Sequence, residues 1–279
     1  MTRLVSISFL CAAVFLSGCS TFGLGQPKGT DPETAAAIAK ASVGNHRSEK
    51  NIARNPYRHP VETLSFFGLR SDMTVIEALP GGLWYTEIIA PVVAENGQYI
   101  AAGYDVDLPE QPEYRLRGNK AMRRRFEAEA NIFGQPKVVK LTAPASIDLG
   151  APASADMVLT FRSNHGWIRD EGAESVYAAF FDVLKSGGVL GVVQHRAGDA
   201  TDTTAFNGYV PQDKVIALAM AAGFEFEASS EINANAKDEA NYEGGVWTLP
   251  PTLRHGEENR AEYLAIGESD RMTLRFRKP

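Results

Sequence analysis

The chain has 279 residues, of which 44% are hydrophobic and 22% are charged, a composition sufficient for one large soluble domain with a full core. Its formal net charge of -6 argues against nucleic acid as a partner, because phosphate binding needs a basic surface. The five histidines lack paired metal-ligand spacing, and the sequence has no Walker loop, G-x-S-x-G elbow or G-x-G-x-x-G motif. Metal-dependent, serine-hydrolase and phosphate-loop chemistries are therefore not indicated.

The N-terminal residues predict export. Arg3 precedes an apolar run from Leu4 to Leu16. This run is too short to span a bilayer as a stable helix, but it suits the core of a signal peptide. We therefore predict a cleaved signal peptide over residues 1–18.

The end of the apolar run resembles the lipobox of bacterial lipoproteins. Its residues are Leu16-Ser17-Gly18-Cys19, and the resemblance implies cleavage before Cys19 and acylation of its thiol. The protein is then expected to be anchored in the cell envelope and to face the periplasm. Ser20 stands in the place of an inner-membrane retention aspartate and favours the outer membrane. A plain secretory signal with an incidental cysteine is the alternative. Residues 19–32 predict a flexible tether ahead of a single domain over residues 33–279.

From residue 33 onward, predicted helices and strands alternate. Helices are predicted over residues 33–53, 61–68, 84–95, 113–132, 173–185 and 210–222, and strands over residues 74–76, 98–104, 137–141, 157–161, 189–194, 224–232 and 272–277. This alternation predicts an α/β fold with a doubly wound, mostly parallel seven-stranded sheet. The last two strands lack a full helix between them and predict a C-terminal antiparallel hairpin. Their long connection, residues 233–262, predicts a lid or binding element.

The turn after the first predicted strand carries the most informative motif. The strand ends on Glu77, and Pro80, Gly81 and Gly82 follow before an apolar helix begins. In doubly wound sheets, such a turn lets a ligand approach the backbone at the carboxyl end of the first strand. The acid favours a ligand with a cationic or hydroxyl-rich end over a bare phosphate. The alternative is a buried strand followed by an ordinary glycine-rich turn.

Five segments carry a resemblance to a known family. They are HPVETLSFFGLRSDMTVIEALPGGLWYTEIIAP, ADMVLTFRSNHGWI, AAFFDVLKSGGVLGVVQHRA, GYVPQDKVIALAMAAGFEF and YLAIGESDRMTLRFRKP. They are similar to class I S-adenosylmethionine-dependent methyltransferases, and especially to a bacterial group in which many members carry export signals. The resemblance covers residues 45–279. It implies a Rossmann-like sheet, S-adenosylmethionine as the cofactor, and a small molecule or envelope component as the methyl acceptor.

The resemblance also implies a set of cofactor contacts. Glu77 matches the acid of the family's first motif, and residues 80–82 supply the turn against the cofactor. Leu79 and Leu83 stand where two further glycines are expected, so we expect the Leu83 side chain to intrude where the backbone approaches the cofactor. Asp105, after the second strand, is the candidate for binding the ribose hydroxyls, with a solvated loop aspartate as the alternative.

The loop after the fourth predicted strand is where the resemblance implies catalytic and substrate-facing residues. His165 is a candidate proton acceptor from a hydroxyl or amine nucleophile, because the pKa of histidine lies near neutrality. Asn164 is a candidate for orienting that nucleophile, and a packing or turn role is the alternative for both residues. The substrate pocket is further predicted to include Arg162, Trp167, His195, Tyr242 and Trp247, with a hydrogen-bonded structural histidine as the alternative for His195.

Two functions are compatible with these patterns. The first is an S-adenosylmethionine-dependent methyltransferase tethered to the envelope. The second is a non-catalytic envelope lipoprotein that keeps the fold, has a vestigial cofactor site and acts as a binding or scaffold module. The second is motivated by a conflict of compartments, because S-adenosylmethionine is made in the cytoplasm whereas an exported domain faces the periplasm. Leu79 and Leu83, which replace two expected glycines, also favour the second function.

Overall fold

An eight-stranded sheet forms the centre of the computed structural model, which describes residues 29–279. The strands are β1 (Thr74–Ala78), β2 (Gln98–Gly103), β3 (Lys137–Thr142), β4 (Ser146–Asp148), β5 (Ala155–Phe161), β6 (Leu184–His195), β7 (Glu225–Ser230) and β8 (Arg271–Arg277). They follow the order β4-β3-β2-β1-β5-β6-β8-β7 across the sheet. β8 is antiparallel to both β6 and β7, and β4 is antiparallel to β3, while the other neighbours are parallel.

The predicted α/β class, the mostly parallel sheet and the C-terminal antiparallel hairpin are confirmed. The sheet has eight strands rather than seven, because β4 pairs with the outer edge of β3. A strand of three residues is too short to show an alternating apolar pattern, so its sequence carries no strand signal. The predicted signal peptide, Cys19 and the first part of the tether lie outside the described residues.

Helices cover both faces of the sheet. They are α1 (Pro32–Ser42), α2 (Glu49–Ile52), α3 (Asn55–Arg58), α4 (Pro60–Phe67), α5 (Thr86–Val93), α6 (Glu113–Ala128), α7 (Ala130–Phe133), α8 (Asn164–Arg169), α9 (Ala173–Val183), α10 (Gln212–Ala221) and α11 (Arg260–Ile266), with a 3₁₀ turn at Gly245–Thr248. Successive residues of β1 face opposite sides, so Val75 joins one core with Ile38 and Ile88, whereas Ile76 joins the other with Tyr177. Within residues 29–279, no helix is long and apolar enough to cross a bilayer.

The predicted helix over residues 33–53 forms two helices, because α1 ends at Ser42. The carbonyl of Ser42 accepts hydrogen bonds from the side chains of Arg47 and Asn55, the latter at 2.9 Å. These side chains satisfy a carbonyl that the end of a helix leaves without an intrahelical partner. The segment that follows packs beside the glycine turn after β1, where Trp84 Nε1 donates a hydrogen bond of 2.9 Å to the Asn51 carbonyl. Lys50 and Asn51 of α2, together with Arg54, form one wall of the candidate site.

Candidate functional site

A cavity of about 910 Å³ opens at the carboxyl edge of the sheet. β1 lies between β2 and β5 there, so the strand order reverses at this point. Doubly wound sheets bind ligands at such a reversal, because the connections on either side diverge and leave a crevice. The predicted site residues that line the cavity are Glu77, Pro80, Gly81, Gly82, Arg162, His165, Trp167, His195 and Trp247.

The turn after β1 presents its backbone to the cavity. Gly81 has a left-handed φ of 57°, which glycine adopts without steric cost. Leu79 and Leu83 are also left-handed, with φ values of 50° and 64°, at a cost of about 1–2 kcal/mol each. The side chain of Leu83 is buried in the core and does not line the cavity, so the expectation that it intrudes on the cofactor face is wrong.

The carboxyl group of Glu77 is buried at the floor of the cavity. Its Oε2 accepts hydrogen bonds from Tyr99 Oη at 2.7 Å and from Thr86 Oγ1 at 2.8 Å. Burial raises the pKa of Glu77 to about 7, despite these two hydrogen bonds, which lower it. Within the described part of the chain, Oε1 has no hydrogen-bond partner, so it is the oxygen that can bind a ligand.

Asp105 does not line the cavity. Its Oδ2 accepts a hydrogen bond from Ser146 Oγ at 2.7 Å, and its Oδ1 lies 3.1 Å from Lys140 Nζ. The predicted ribose contact therefore has no support from the position of this side chain. Gly103 lines the cavity instead. Asn119 fills the space that a side chain at position 103 would take, since its Nδ2 lies 3.3 Å from the place of a Cβ built on Gly103.

His165 is placed in the cavity by α8, directly after β5. Its ring lies 5.8 Å from that of Trp247 and 6.1 Å from that of His195. Burial, followed by the charge of Arg162, lowers the pKa of His165 to about 4, so the imidazole is neutral near pH 7.

The tautomer of His165 follows from Gln194. Gln194 is oriented by two hydrogen bonds, one accepted from the Asn164 N–H at 3.1 Å and one donated to the Gly208 carbonyl at 3.0 Å. Its Nε2 therefore faces His165 Nδ1, at 3.4 Å. Since Nδ1 accepts, the ring proton of His165 lies on Nε2, and this nitrogen can donate to a ligand.

His195 ends β6 on the same side of the cavity. Its Nδ1 forms a hydrogen bond of 2.5 Å with Ser269 Oγ, and both residues line the cavity. Burial, with a further contribution from the charge of Arg162, lowers the pKa of His195 well below its ordinary value. His195 is therefore a second neutral imidazole, held by Ser269, that can exchange a proton with a ligand.

A cluster of arginines surrounds Glu268 at one end of the cavity. Glu268 accepts hydrogen bonds from Arg54 Nε at 2.6 Å, from Arg58 Nε at 3.0 Å and from Arg271 Nη1 at 3.2 Å. Burial acts to raise the pKa of Glu268, but the arginines outweigh it and lower the pKa to about 2. No local sequence pattern indicates this cluster, because Arg54 and Arg58 are distant from Glu268 in the chain and are brought to it only by the fold.

Besides Asp105, two predicted site residues lie outside the cavity. Asn164 is fully buried, and its Oδ1 accepts a hydrogen bond of 2.6 Å from Tyr177 Oη, so it braces α8 against α9. Tyr242 packs against Tyr263, with ring centroids 6.1 Å apart. Neither side chain contacts the space that a substrate would occupy, which corrects both expectations.

The long connection before β8 forms the roof of the cavity. Trp247, Pro250 and Pro251 line the cavity from this segment, and its role as a lid or binding element stays a prediction. Phe206, from the loop after β6, packs against Trp247 with ring centroids 5.3 Å apart. No group of three or more metal-ligating side chains comes together within the described residues.

Comparisons with known proteins are consistent with this geometry. No protein family profile and no curated protein matches the sequence. Among solved structures, the chain is similar to an S-adenosylmethionine-dependent methyltransferase from Aquifex aeolicus, at 18% identity and a TM-score of 0.51, over 71% of this chain and 93% of that one. It is also similar to the [4+2]-cyclase SpnF, at 14% identity and a TM-score of 0.53, over 88% of this chain and 94% of that one. The protein therefore has the Rossmann-like fold of the class I S-adenosylmethionine-dependent methyltransferases.

Proposed function

We propose that the protein is a class I S-adenosylmethionine-dependent methyltransferase. The observation that carries this proposal is the turn after β1, whose backbone at Gly81 and Gly82 faces the cavity while the Leu83 side chain is withdrawn into the core. A cofactor can therefore approach the backbone as closely as in a turn with the expected glycines. The free Oε1 of Glu77 is positioned to accept a hydrogen bond or to face a cationic group.

The residues around the cavity fit an adenosine and a charged sulfur. Tyr104 and Asn119 line the side next to β2, where the ribose and adenine would lie. When bound, S-adenosylmethionine supplies an electrophilic methyl group on its sulfonium. The aromatic ring of Trp167 lines the same cavity and can stabilise a cation over its face.

The histidine pair is proposed to position and deprotonate the acceptor. Nε2–H of His165 donates a hydrogen bond to the nucleophilic oxygen or nitrogen, which orients it for in-line transfer. The ring of His195 is held by the hydrogen bond between its Nδ1 and Ser269 Oγ, and its Nε2 is proposed to accept the acceptor's proton, since burial keeps this imidazole neutral. His195→Gln should therefore lower the turnover number and have a smaller effect on the KM of the acceptor. His165→Gln should lower the turnover number and also raise this KM.

Isothermal titration of the purified full chain with S-adenosylhomocysteine tests the proposal. A Cβ built on Gly82 meets no atom within 4 Å, so Gly82→Leu should fold normally and fill the cofactor face of the cavity. Gly29→Leu is the matched control, because a Cβ there also meets no atom and Gly29 does not line the cavity. We expect binding by the wild type and by Gly29→Leu, and loss of binding in Gly82→Leu. No heat from the wild type at millimolar ligand would contradict the proposal.

The finer proposal is that this methyltransferase is a lipoprotein of the cell envelope. It is supported by the sequence Leu16-Ser17-Gly18-Cys19. Expression in a bacterium with radiolabelled palmitate should label the wild type but not Cys19→Ser. Equal labelling of both chains, or no labelling of either, would contradict the lipid anchor without affecting the proposed chemistry.

A non-catalytic binding module is the second candidate function. It is favoured by the carboxyl groups that are already engaged, since Glu77 Oε2 is bonded inside the protein and Asp105 is tied to Ser146 and Lys140. A shared fold does not imply a shared activity, as the similarity to a protein named a cyclase illustrates. Glu77→Ala separates the candidates, because an enzyme should lose S-adenosylhomocysteine binding whereas a module without a cofactor should show none in either chain.

A further inference from the structure

The Glu268 end of the cavity carries more positive than negative charge. Arg54, Arg58 and Arg271 share the single carboxylate of Glu268. Arg162 lies beside them. Burial lowers the pKa of Arg162 to about 10. The charge of Glu268 opposes this shift, whereas the charges of Arg271 and Arg54 add to it. Burying like charges together is costly unless another group compensates them.

Several guanidinium nitrogens in this cluster are buried and unpaired. Among the described residues, Arg162 Nε, Arg54 Nη2 and both terminal nitrogens of Arg58 have no hydrogen-bond partner. Arg54 and Arg162 line the cavity, whereas Arg58 lies behind its wall. Unsatisfied buried donors of this kind are rare in folded proteins, and they leave the charge of the cluster incompletely compensated. The other terminal nitrogens of the two cavity-lining arginines, Arg54 Nη1 and both of Arg162, also have no hydrogen-bond partner among the described residues and are not among the buried atoms. They can therefore donate to an anion in the cavity, since the guanidinium group matches carboxylate and phosphate oxygens in geometry and charge.

The cofactor of the proposed function does not supply the missing charge. S-adenosylmethionine carries a sulfonium and an ammonium group against one carboxylate, so it is a net cation. Its binding increases the excess of positive charge in the cavity. Three of the described acids line the cavity. Glu268 is already shared by three arginines, Asp170 pairs with Arg169, and burial raises the pKa of Glu77 to about 7, so that Glu77 is about half ionised at neutral pH. A further negative charge must therefore come from the other ligand.

We infer that the methyl acceptor is an organic acid whose carboxylate or phosphate is bound by Arg54 and Arg162. This inference rests on the proposed function and adds the substrate class to it. The body of the acid lies against the aromatic wall formed by His165, Phe206 and Trp247. His195 lies beside this wall, 6.1 Å from His165 between ring centroids, and both histidines line the same cavity as the two arginines, where they can contact the group to be methylated.

Calorimetry with small aromatic probes tests the inference. Benzoate and phenyl phosphate carry the proposed anion, and benzamide is the uncharged match for benzoate. The full chain is titrated with each probe, with and without S-adenosylhomocysteine. We expect benzoate or phenyl phosphate to bind about tenfold more tightly than benzamide, as is typical for one charge-assisted pair. Equal binding of all three probes would overturn the inference.

Arginine variants locate the anion. Arg54→Gln and Arg162→Gln should each weaken binding of the acidic probes about tenfold and leave benzamide binding within about twofold. Arg54 is 17% exposed, so its replacement is not expected to prevent folding. Arg70→Gln is the matched control, because Arg70 pairs with Asp72 at the exposed surface and does not line the cavity. Unchanged affinity for the acids in both cavity variants would overturn the inference.

The same variants distinguish an acidic acceptor from the carboxylate of the cofactor. If the arginines bind the cofactor instead, both variants should weaken S-adenosylhomocysteine and leave 5′-methylthioadenosine, which lacks the amino-acid part, unchanged. That result would overturn the inference while supporting the proposed function. Binding of the acidic probes is also measured without S-adenosylhomocysteine. If S-adenosylhomocysteine gives no heat of binding while the acidic probes bind, the proposed function fails but the anion site does not.

Discussion

Replacing Glu268 by glutamine removes the carboxylate that holds three arginine side chains, and we expect it to destabilise the fold strongly. Glu268 is 4% exposed and accepts hydrogen bonds at 2.6, 3.0 and 3.2 Å. Removing one partner from a buried ion pair costs about 3–5 kcal/mol. Against the effect of burial, the arginines lower the pKa of Glu268 from 4.5 to about 2. At ~1.4 kcal/mol per pKa unit, this shift corresponds to a loss of stability of about 3 kcal/mol, in agreement with the range for a buried ion pair.

Urea unfolding followed by tryptophan fluorescence measures this loss. Asp72→Asn is the matched control, because Asp72 pairs with Arg70 at the surface, where an ion pair contributes about 0–1 kcal/mol. A depressed carboxyl pKa stabilises the fold at pH values where the unfolded group is ionised. The Glu268 contribution should therefore disappear as the pH falls from 4.5 through about 2, and Glu268→Gln should lack this decline. A free energy of unfolding equal to that of Asp72→Asn would refute the reasoning.

Three further substitutions test the description of the turn and its neighbours. Leu83→Ala should lower the free energy of unfolding by about 2–5 kcal/mol in urea, with S-adenosylhomocysteine affinity within about twofold of wild type, because its side chain lies in the core. Asp105→Asn should leave that affinity unchanged in calorimetry, and a tenfold loss would show that Asp105 reaches the ligand. The free energy of unfolding of the wild type should fall as the pH rises from 4.5 to about 7, because the Glu77 carboxyl group ionises at a lower pH in the unfolded chain than in the folded protein. Glu77→Gln should remove this decrease, as measured by urea unfolding at pH 4.5 and at pH 7.

The fold could be predicted because its elements are long and regular. The apolar strands at residues 74–78, 98–103 and 155–161 alternate with amphipathic helices, which predicts the parallel part of the sheet. The sequence predicts no full helix between the last two strands, but their connection contains the seven-residue helix α11, and the two strands still pair as predicted. The short strand at residues 146–148 and the break after Ser42 could not be predicted in the same way. Each depends on a partner distant in the chain, the edge of β3 in one case and Arg47 with Asn55 in the other.

The site was predictable only where residues follow strands directly. Arg162, His165 and His195 stand at or just after the ends of β5 and β6, so topology alone brings them to the carboxyl edge of the sheet. Asn164 is adjacent to His165 on the short helix α8, where neighbouring side chains point in different directions, and it faces the core. Arg54 and Glu268 are 214 residues apart, so no local pattern could predict their pairing.

The position of the cofactor is tested most directly by a crystal structure of the full chain grown with S-adenosylhomocysteine. We predict that the ligand lies in the cavity, with its amino-acid part over Gly81 and Gly82 and its adenosine beside Gly103 and Tyr104. Ordered water alone in this cavity at saturating ligand, or S-adenosylhomocysteine bound elsewhere on the surface, would contradict the proposed cofactor site.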